Sequence, residues 1–436
     1  MVLLNEVPAI VRIALVFVLL LAAIRKKWSL GNAFTAASIL LGLGFGMAPV
    51  PLLLAVGRSL VQPKTLSLSL VVVLILVLSR SMEVSGQMKR LLTGFEGLVR
   101  SPRINLITFP MLIGLLPMPG GAIFSAPMVR AIGAIRGHPP EDLSFVNYWF
   151  RHIWEYWWPL YPGIILVTAL SGIDLWVFVA VSFPMTLVAI AGGFSALWGR
   201  FDAPFPIGDP EPRPPLGPFV RELLPILIVV VLGLGLGALL APLLAGTGLG
   251  IDKEMGLIAA LVVAIVWVWH GNRLPFPERR RILLHPEQLR IAYMVAGILI
   301  FKGVLDVSGA VEALSGELID WRIPLLLVTI ILPFVVGGVA GITIAFVGTT
   351  FPILVSLVRS AGQGDLLIIY LVLALVSGFT GVLLSPLHLC LLLSNSYFHA
   401  SPSAVYRRLW KPCLMLLGGG CLYFFFLRWM MLNAFP

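Results

Sequence analysis

The chain has 436 residues, of which 59% are hydrophobic and 11% are charged. Soluble domains carry about 25% charged residues, so this composition excludes a cytosolic enzyme, a disordered regulator and a secreted disulfide scaffold. The net charge of +10 requires no nucleic-acid partner, because most basic residues fall in short loops between apolar runs, where they set orientation and meet anionic headgroups. We therefore expect a multi-pass protein of the inner or plasma membrane, with the lipid bilayer as a partner.

The apolar runs predict an all-α polytopic membrane protein. A spanning helix needs about 20 apolar residues, and on this measure the chain offers about ten transmembrane helices. The first run is followed by a basic cluster at 25–27, which predicts that its C-terminal end faces the cytoplasm. The cleaner runs are 7–24, 66–79, 176–197, 223–244, 255–270, 323–333 and 365–382. Three further runs are interrupted by glycine or proline: 33–56, 104–129 and 336–358.

The two halves of the chain resemble each other at an offset of 223 residues. At this offset the string Glu83–Gly86 falls on Asp306–Gly309, and Pro110 falls on Pro333. Many secondary transporters consist of two copies of one unit in inverted orientation. We therefore predict inverted repeats: a first half over 1–200 with a hairpin around 104–129, a proline-rich central linker over 201–218, and a second half over 219–436 with a hairpin around 325–354.

The two interrupted hairpin segments are predicted to enter the membrane and turn back. Interrupted helices survive at membrane depth only where protein or a water-filled cavity satisfies their backbone groups. Two hairpins that enter from opposite sides would bring exposed N–H groups and helix N-termini together near the midplane, where they favour an anion. The predicted substrate-binding residues of the tips are Pro119, Gly120, Gly121 and Ser125 in the first hairpin, and Gly337, Gly338, Thr343, Thr349 and Thr350 in the second.

A polar cluster in the string NYWFRHIWEYWWPLYPG is the second candidate. Ionisable groups inside apolar segments cost about 3 kcal/mol each and are functional candidates by default. Arg151 would hold a carboxylate or a phosphate, His152 would contact the substrate, and Glu155 or a histidine would carry a coupled proton. The alternative interpretation is that Arg151 and Glu155 neutralise each other while the tryptophans form an interfacial belt.

Three further residues are candidates because of their positions. Glu83 and Asp306 occupy equivalent places in the two repeats and are predicted to couple ions; the alternative is that each forms a structural ion pair at the membrane interface. His388 follows a proline at a break in an apolar run and is predicted to bind substrate. For this residue the alternative is a hydrogen-bonded histidine of the core.

The order of the segments, and the strings LLPMPGGAIFSAPMV, NYWFRHIWEYWWPLYPG and LLSPLHLCLLLSN, resemble an uncharacterised prokaryotic membrane-protein family. This family belongs to the ion-transporter superfamily and is related to gluconate and other organic-anion permeases. The resemblance covers nearly the whole chain. It implies inverted repeats, two re-entrant hairpins, a scaffold domain that forms a homodimer, an elevator-like movement, and proton- or sodium-coupled transport of organic anions.

The sequence carries no HExxH, GxSxG or GxxxxGK[ST] motif, and its three cysteines lack CxxC spacing. We therefore predict neither an enzyme nor a metal site, and no cofactor other than a coupling H⁺ or Na⁺. The predicted function is secondary active transport of a small, carboxylate-type organic anion by elevator-like alternating access. The alternatives are a lipid-phosphate carrier or flippase, and a membrane-embedded lipid-processing enzyme that uses His152 and Glu155 as acid and base.

Overall fold

The computed structural model describes residues 7–95, 98–99, 101–118, 120–134, 137–197, 214–244 and 252–434. Within these ranges the protein is helical and contains no β-strand, so the predicted all-α class is confirmed for the described residues. Of the predicted central linker at 201–218, only 214–218 lie within them.

The helices that precede the linker are α1 (Ala9–Arg25), α2 (Leu30–Gly44), α3 (Pro49–Val61), α4 (Pro63–Val84), α5 (Gln87–Phe95), α6 (Pro102–Gly114), α7 (Ala122–Ala134), α8 (Pro140–Trp149), α9 (Pro162–Ser171), α10 (Leu175–Ser182) and α11 (Pro184–Leu197). Those that follow it are α12 (Leu216–Leu244), α13 (Asp252–Gly271), α14 (Phe276–Leu283), α15 (Pro286–Val307), α16 (Ala310–Asp320), α17 (Leu325–Ala340), α18 (Thr343–Ser360), α19 (Leu367–Leu384), α20 (Leu389–Phe398) and α21 (Pro402–Ala434). Short 3-10 helices lie at Phe150–His152 and Gly364–Leu366.

Several helices have the length and composition of membrane spans. In the described ranges seven segments meet this test, and the number rises to eight if the bent pair α15 and α16 counts as one span. A multi-pass membrane architecture is therefore supported, whereas the sequence predicts about ten spans. The difference arises because other apolar helices have only 10–17 residues, and 17 residues extend about 26 Å, less than the hydrocarbon core of about 30 Å.

The stretches aligned at the 223-residue offset have the same local structure. Helix α4 ends at Val84 and α15 ends at Val307. Two residues further on, Gly86 and Gly309 both adopt φ +70°, a left-handed conformation that costs glycine little. Each glycine is followed by a shorter helix, α5 or α16.

Two helical hairpins occupy the predicted segments. The first consists of α6 and α7 and the second of α17 and α18, and the two arms of each hairpin pack against each other. The tip of the second hairpin turns at Gly341, with φ +66°. The hairpins are longer than predicted, since their arms extend over 102–134 and 325–360.

Prolines interrupt two other helical segments. The first break, 150–161, separates α8 from α9, and the second break, 385–388, separates α19 from α20. Proline has no N–H and disfavours helical conformation in the preceding residue; Pro159 and Pro386 lie inside the breaks, and Pro162 starts α9. Helix α7 contacts α8 and α20, whereas α18 contacts α9 and α19. The first hairpin therefore packs against α8 and α20, and the second hairpin packs against α9 and α19.

Candidate functional site

A cavity of about 280 Å³ lies between the two hairpin tips and the two breaks. Its polar lining includes Gly120, Arg151, His152, Glu155, Tyr161, Thr343, His388 and Cys390. Apolar side chains such as Leu76 and Ile291 form other parts of the wall. The packing of hairpins against broken helices thus brings together residues that are more than 200 positions apart in the chain.

Four helices begin at this cavity. The lining includes Gly120, just before α7, and the first residues of α9, α18 and α20, which are Pro162, Thr343 and Leu389. The starts of α9, α18 and α20 have no side-chain cap, so the first N–H groups of α18 and α20, and that of Gly163 after Pro162 in α9, have no side-chain cap as acceptor. A helix N-terminus carries roughly +0.5 elementary charge and binds anions through such groups. The four helix starts therefore make the cavity attractive to negative charge.

Arg151 presents its guanidinium group at the same place. Its side chain is only 3% exposed, and Nη2 donates a 2.7 Å hydrogen bond to the carbonyl oxygen of Met118 in the first hairpin. Its Nε is buried and has no hydrogen-bond partner among the described residues. A Cβ added to Gly121 would lie 2.6 Å from Nη2 and 2.9 Å from Nε. The absence of a side chain at Gly121 thus leaves room for the guanidinium group.

The first break is fixed to the end of α6 by its aromatic side chains. Three ring groups donate hydrogen bonds of 2.7–2.8 Å to main-chain carbonyls near that helix end: Trp154 to Met111, Trp158 to Leu115, and Tyr161 to Gly114. A helix C-terminus leaves carbonyl groups without intrahelical partners, and these donors satisfy three of them. Trp154 and Trp158 therefore bind protein backbone, which departs from the interfacial-belt interpretation of the sequence.

Glu155 connects the first break to the tip of the second hairpin. Thr343 donates a 3.0 Å hydrogen bond from its hydroxyl to Oε2 of Glu155, while Oε1 lies 3.7 Å from Nε2 of His152. Arg151 Nη1 is 3.3 Å from the same histidine nitrogen. The Arg151 and Glu155 side chains thus lie on either side of His152 and do not form an ion pair within 4.0 Å in the described structure.

Two histidines and a cysteine meet on one wall of the cavity. The rings of His152 and His388 are 4.8 Å apart between centroids and nearly perpendicular. His152, His388 and Cys390 are all buried, and each offers a nitrogen or sulfur atom within 4.8 Å of the others. Cys390 carries a free thiol. The second break contributes His388 and the first turn of α20 contributes Cys390, and of these two side chains the sequence predicts only His388.

A model of the family described as "Protein of unknown function (DUF401)" matches residues 9–425. The chain belongs to this family. The search of curated proteins gives no match. Among solved structures, the Alcanivorax borkumensis YdaH transporter, described as having an unusual topology, is similar with a TM-score of 0.58 and 15% sequence identity, over 84% of this chain and 85% of that chain. This likeness shows a shared fold; the relation to the ion-transporter superfamily and to gluconate permeases stays a prediction.

Several predicted binding residues of this DUF401 protein lie outside the cavity lining. Gly337 and Gly338 belong to α17, where Gly337 packs directly against the backbone of α19. Thr349 and Thr350 are buried and donate to carbonyls one turn back in their own helix. Ser125 lies behind the first tip, where it donates to Asn147. Pro119 lies outside the described residues.

The two predicted ion-coupling carboxylates at the repeat ends form ion pairs and are not among the residues that line the cavity. Glu83 pairs with Arg80 and Asp306 with Lys302, each at 2.7 Å. All four side chains are between 29% and 44% exposed. The geometry agrees with the structural alternative that the sequence leaves open for these residues.

A buried amide network near the first tip was not predicted from the sequence. The amide nitrogen of Asn147 in α8 donates to the Ala122 carbonyl at 3.0 Å and to the Ser394 hydroxyl at 2.9 Å, and its oxygen accepts from Ser125 at 2.6 Å. In the same layer Ser144 donates to Asn395 at 2.6 Å. The network joins α7, α8 and α20 behind the cavity. Its signals in the sequence are Asn147 and Ser144 in α8 and the adjacent Ser394 and Asn395 in α20.

Proposed function

We propose that this protein is a secondary active transporter of a small, carboxylate-type organic anion. The observation that carries the proposal is the convergence of four helix N-termini and Arg151 on one cavity. In transporters, interrupted helices direct such N-termini at anionic substrate groups near the membrane midplane. The structural likeness to a protein described as a transporter supports the same conclusion over most of the chain.

The cavity favours a substrate with one carboxylate and an apolar body. Arg151 lines the cavity with its guanidinium group, and the neighbouring helix starts supply further N–H donors. Glu155 offsets the formal charge of Arg151, so the remaining attraction comes from the helix termini, which suits a monoanion better than a dianion. A volume of about 280 Å³ lies at the small end of ligand sites, which span roughly 300–1,000 Å³.

The proposed movement is elevator-like, with the hairpins and broken helices carrying the anion as one unit. Two features support it: the equivalent local structures at the 223-residue offset, and the contact of each hairpin with a different half of both broken segments. Inverted repeats of this kind serve alternating access in secondary transporters. The proposal includes inverted repeats and a cavity that opens to either side as the hairpin tips move.

Glu155 is the proposed proton carrier. Its Oε2 accepts a hydrogen bond from Thr343 of the second hairpin. The charge of Glu155 therefore lies at the contact between a hairpin tip and the first break. Protonation would remove the negative charge nearest to Arg151 and strengthen the attraction for an anion. Proton binding and anion binding would then favour each other, which is the requirement for symport.

The test of the site uses purified protein in vesicles. A panel of monocarboxylates, dicarboxylates and lipid phosphates is first screened for thermal stabilisation, and uptake of the best ligand is then measured under an imposed pH gradient. Arg151→Lys should weaken half-saturation about 10- to 100-fold, because a charged hydrogen bond contributes about 1.5–3 kcal/mol. The control is Arg359→Lys, since Arg359 donates to the Ser171 carbonyl at the far end of α18 and does not line the cavity.

Coupling is tested with Glu155→Gln. We expect anion uptake in this variant to lose its dependence on the pH gradient, whereas Glu83→Gln should keep it, because Glu83 pairs with Arg80 outside the cavity. Equal half-saturation in Arg151→Lys and the wild type would refute the proposed site. Chemical turnover of a lipid without translocation would refute the transport proposal and support the alternative of a lipid-processing enzyme.

A further inference from the structure

The two cavity histidines both have their Nδ1 atoms engaged with backbone carbonyls. Nδ1 of His152 lies 2.6 Å from the Tyr148 carbonyl oxygen, and Nδ1 of His388 lies 3.2 Å from that of Val382. A carbonyl oxygen can only accept, so each Nδ1 carries the proton and donates it. In both neutral rings Nε2 therefore carries the lone pair, which in His152 faces Nη1 of Arg151 at 3.3 Å. Histidine ligands in metal sites have the same arrangement: one ring nitrogen binds the metal, and the other donates to a carbonyl or carboxylate, which orients the ring.

The third donor is the Cys390 sulfur at the first turn of α20. The sulfur lies within 4.8 Å of a ring nitrogen of each histidine that can act as a metal ligand. Tetrahedral zinc sites have metal–ligand bonds of about 2.0–2.3 Å, which place neighbouring donors about 3.5 Å apart. Closing the group around an ion therefore requires movements of about 1 Å, the scale of small side-chain rotations.

We propose that His152, His388 and Cys390 bind one zinc-class divalent ion, with a fourth coordination position open to the cavity. Two imidazoles and a thiolate form a borderline-soft ligand set, which selects zinc or cobalt over magnesium or calcium. Because all three residues line the 280 Å³ cavity, the fourth ligand comes from the cavity side: water, or the carboxylate of a bound anion. The last point rests on the proposed function, whereas the metal site itself does not.

The charges around the site balance only with an anion present. A divalent ion with the Cys390 thiolate, Arg151 and Glu155 leaves one net positive charge, so metal binding should increase the affinity for a monoanion. Arg151 opposes the metal, because its Nη1 lies 3.3 Å from Nε2 of His152 and must move away from that lone pair. Its bond to Met118 uses Nη2, so this movement can leave the hairpin contact in place.

The test uses the full-length protein in detergent, with its affinity tag removed, and Co²⁺ alone as the probe. We expect one equivalent of Co²⁺ to produce the absorption of a tetrahedral ion and a thiolate-to-cobalt charge-transfer band, both displaced by Zn²⁺ and unaffected by Mg²⁺. Cys390→Ser should remove the charge-transfer band and weaken binding about 100-fold, and His388→Gln should weaken it similarly. Cys413→Ser is the matched control, since Cys413 is also a buried free thiol but lies outside the ligand group.

Two results would overturn the proposal. One is the absence of a charge-transfer band in the wild-type protein, a measurement that does not depend on the folding of any variant. The other is a band in Cys390→Ser equal to that in Cys413→Ser. A further expected result is tighter Co²⁺ binding in Arg151→Met, because this change removes the positive charge beside His152; weaker binding there would contradict the proposed geometry. Since no anion is present, failure here leaves the transport test of Arg151 untouched.

Discussion

Replacing Gly337 by alanine tests how the second hairpin is held. A Cβ at this position would overlap the carbonyl oxygen of Gly378 in α19 and would lie 3.0 Å from its carbon and 3.2 Å from the nitrogen of Val382. All three are backbone atoms of a packed helix, so no side-chain rotation relieves the overlap. Small residues permit this close approach of helices in membranes. The variant must therefore push α17 away from α19 by about 1 Å, in a core that tolerates such shifts poorly.

Gly338 supplies the matched control, because a Cβ there would lie 3.7 Å from the Gly381 carbonyl oxygen, an ordinary contact. Both substitutions gain the same helix propensity, so the difference between them isolates the overlap. Overpacking costs about 1–3 kcal/mol, and we expect Gly337→Ala to be less stable than Gly338→Ala by that amount. Equilibrium unfolding of both proteins in mixed micelles measures the difference. Equal free energies of unfolding would refute the backbone-to-backbone contact.

Three further changes test the cavity and its surroundings. Gly121→Ala should displace the Arg151 guanidinium group, which an added Cβ would approach to 2.6 Å, and should lower anion affinity at least tenfold in thermal-shift titrations, with little loss of stability in the absence of ligand. Thr343→Val keeps the side-chain shape but removes the hydroxyl that donates to Glu155. The free energy of unfolding should fall by about 1.5–3 kcal/mol in this variant, whereas that of Thr343→Ser should stay close to the wild-type value. Asp306→Asn should change stability by less than about 1 kcal/mol, because exposed ion pairs contribute little, and uptake should keep its pH dependence.

The interruptions of the helices were predictable from the sequence because proline and glycine act locally. Pro159 and Pro386 both lie inside breaks, whereas Pro110, Pro333 and Pro352 lie inside helices, so a proline marks a candidate break without fixing one. The turn glycines Gly86 and Gly309, 223 positions apart, adopt the same positive φ, since the local demand for a left-handed residue is the same in both stretches. The number of spans was less predictable, because hydropathy does not show where a long apolar run divides into short helices.

The full set of cavity residues could not be predicted from the sequence, because it depends on contacts between segments that are distant in the chain. Arg151, His152, Glu155 and His388 were predicted because charge or polarity inside apolar segments is costly. Cys390 resembles an ordinary small apolar residue in sequence, and only the folded chain places it beside His152, 238 positions earlier. A uniformly apolar helix has no polar face that would show which side of it faces the cavity. The sequence therefore could not separate residues that line the cavity from residues that pack helices together.

The breaks also explain how two buried charges are tolerated at this depth. A charged side chain at the centre of a membrane helix costs about 2.5–3.5 kcal/mol by insertion scales, and a continuous helix could offer it no backbone partner, because all of its N–H and C=O groups are used internally. At the first tip, the turn after α6 frees the Met118 carbonyl that accepts from Arg151. At the second tip, the turn at Gly341 brings the Thr343 hydroxyl to Glu155. The interruptions that create the hairpins therefore also create the partners that stabilise the charges.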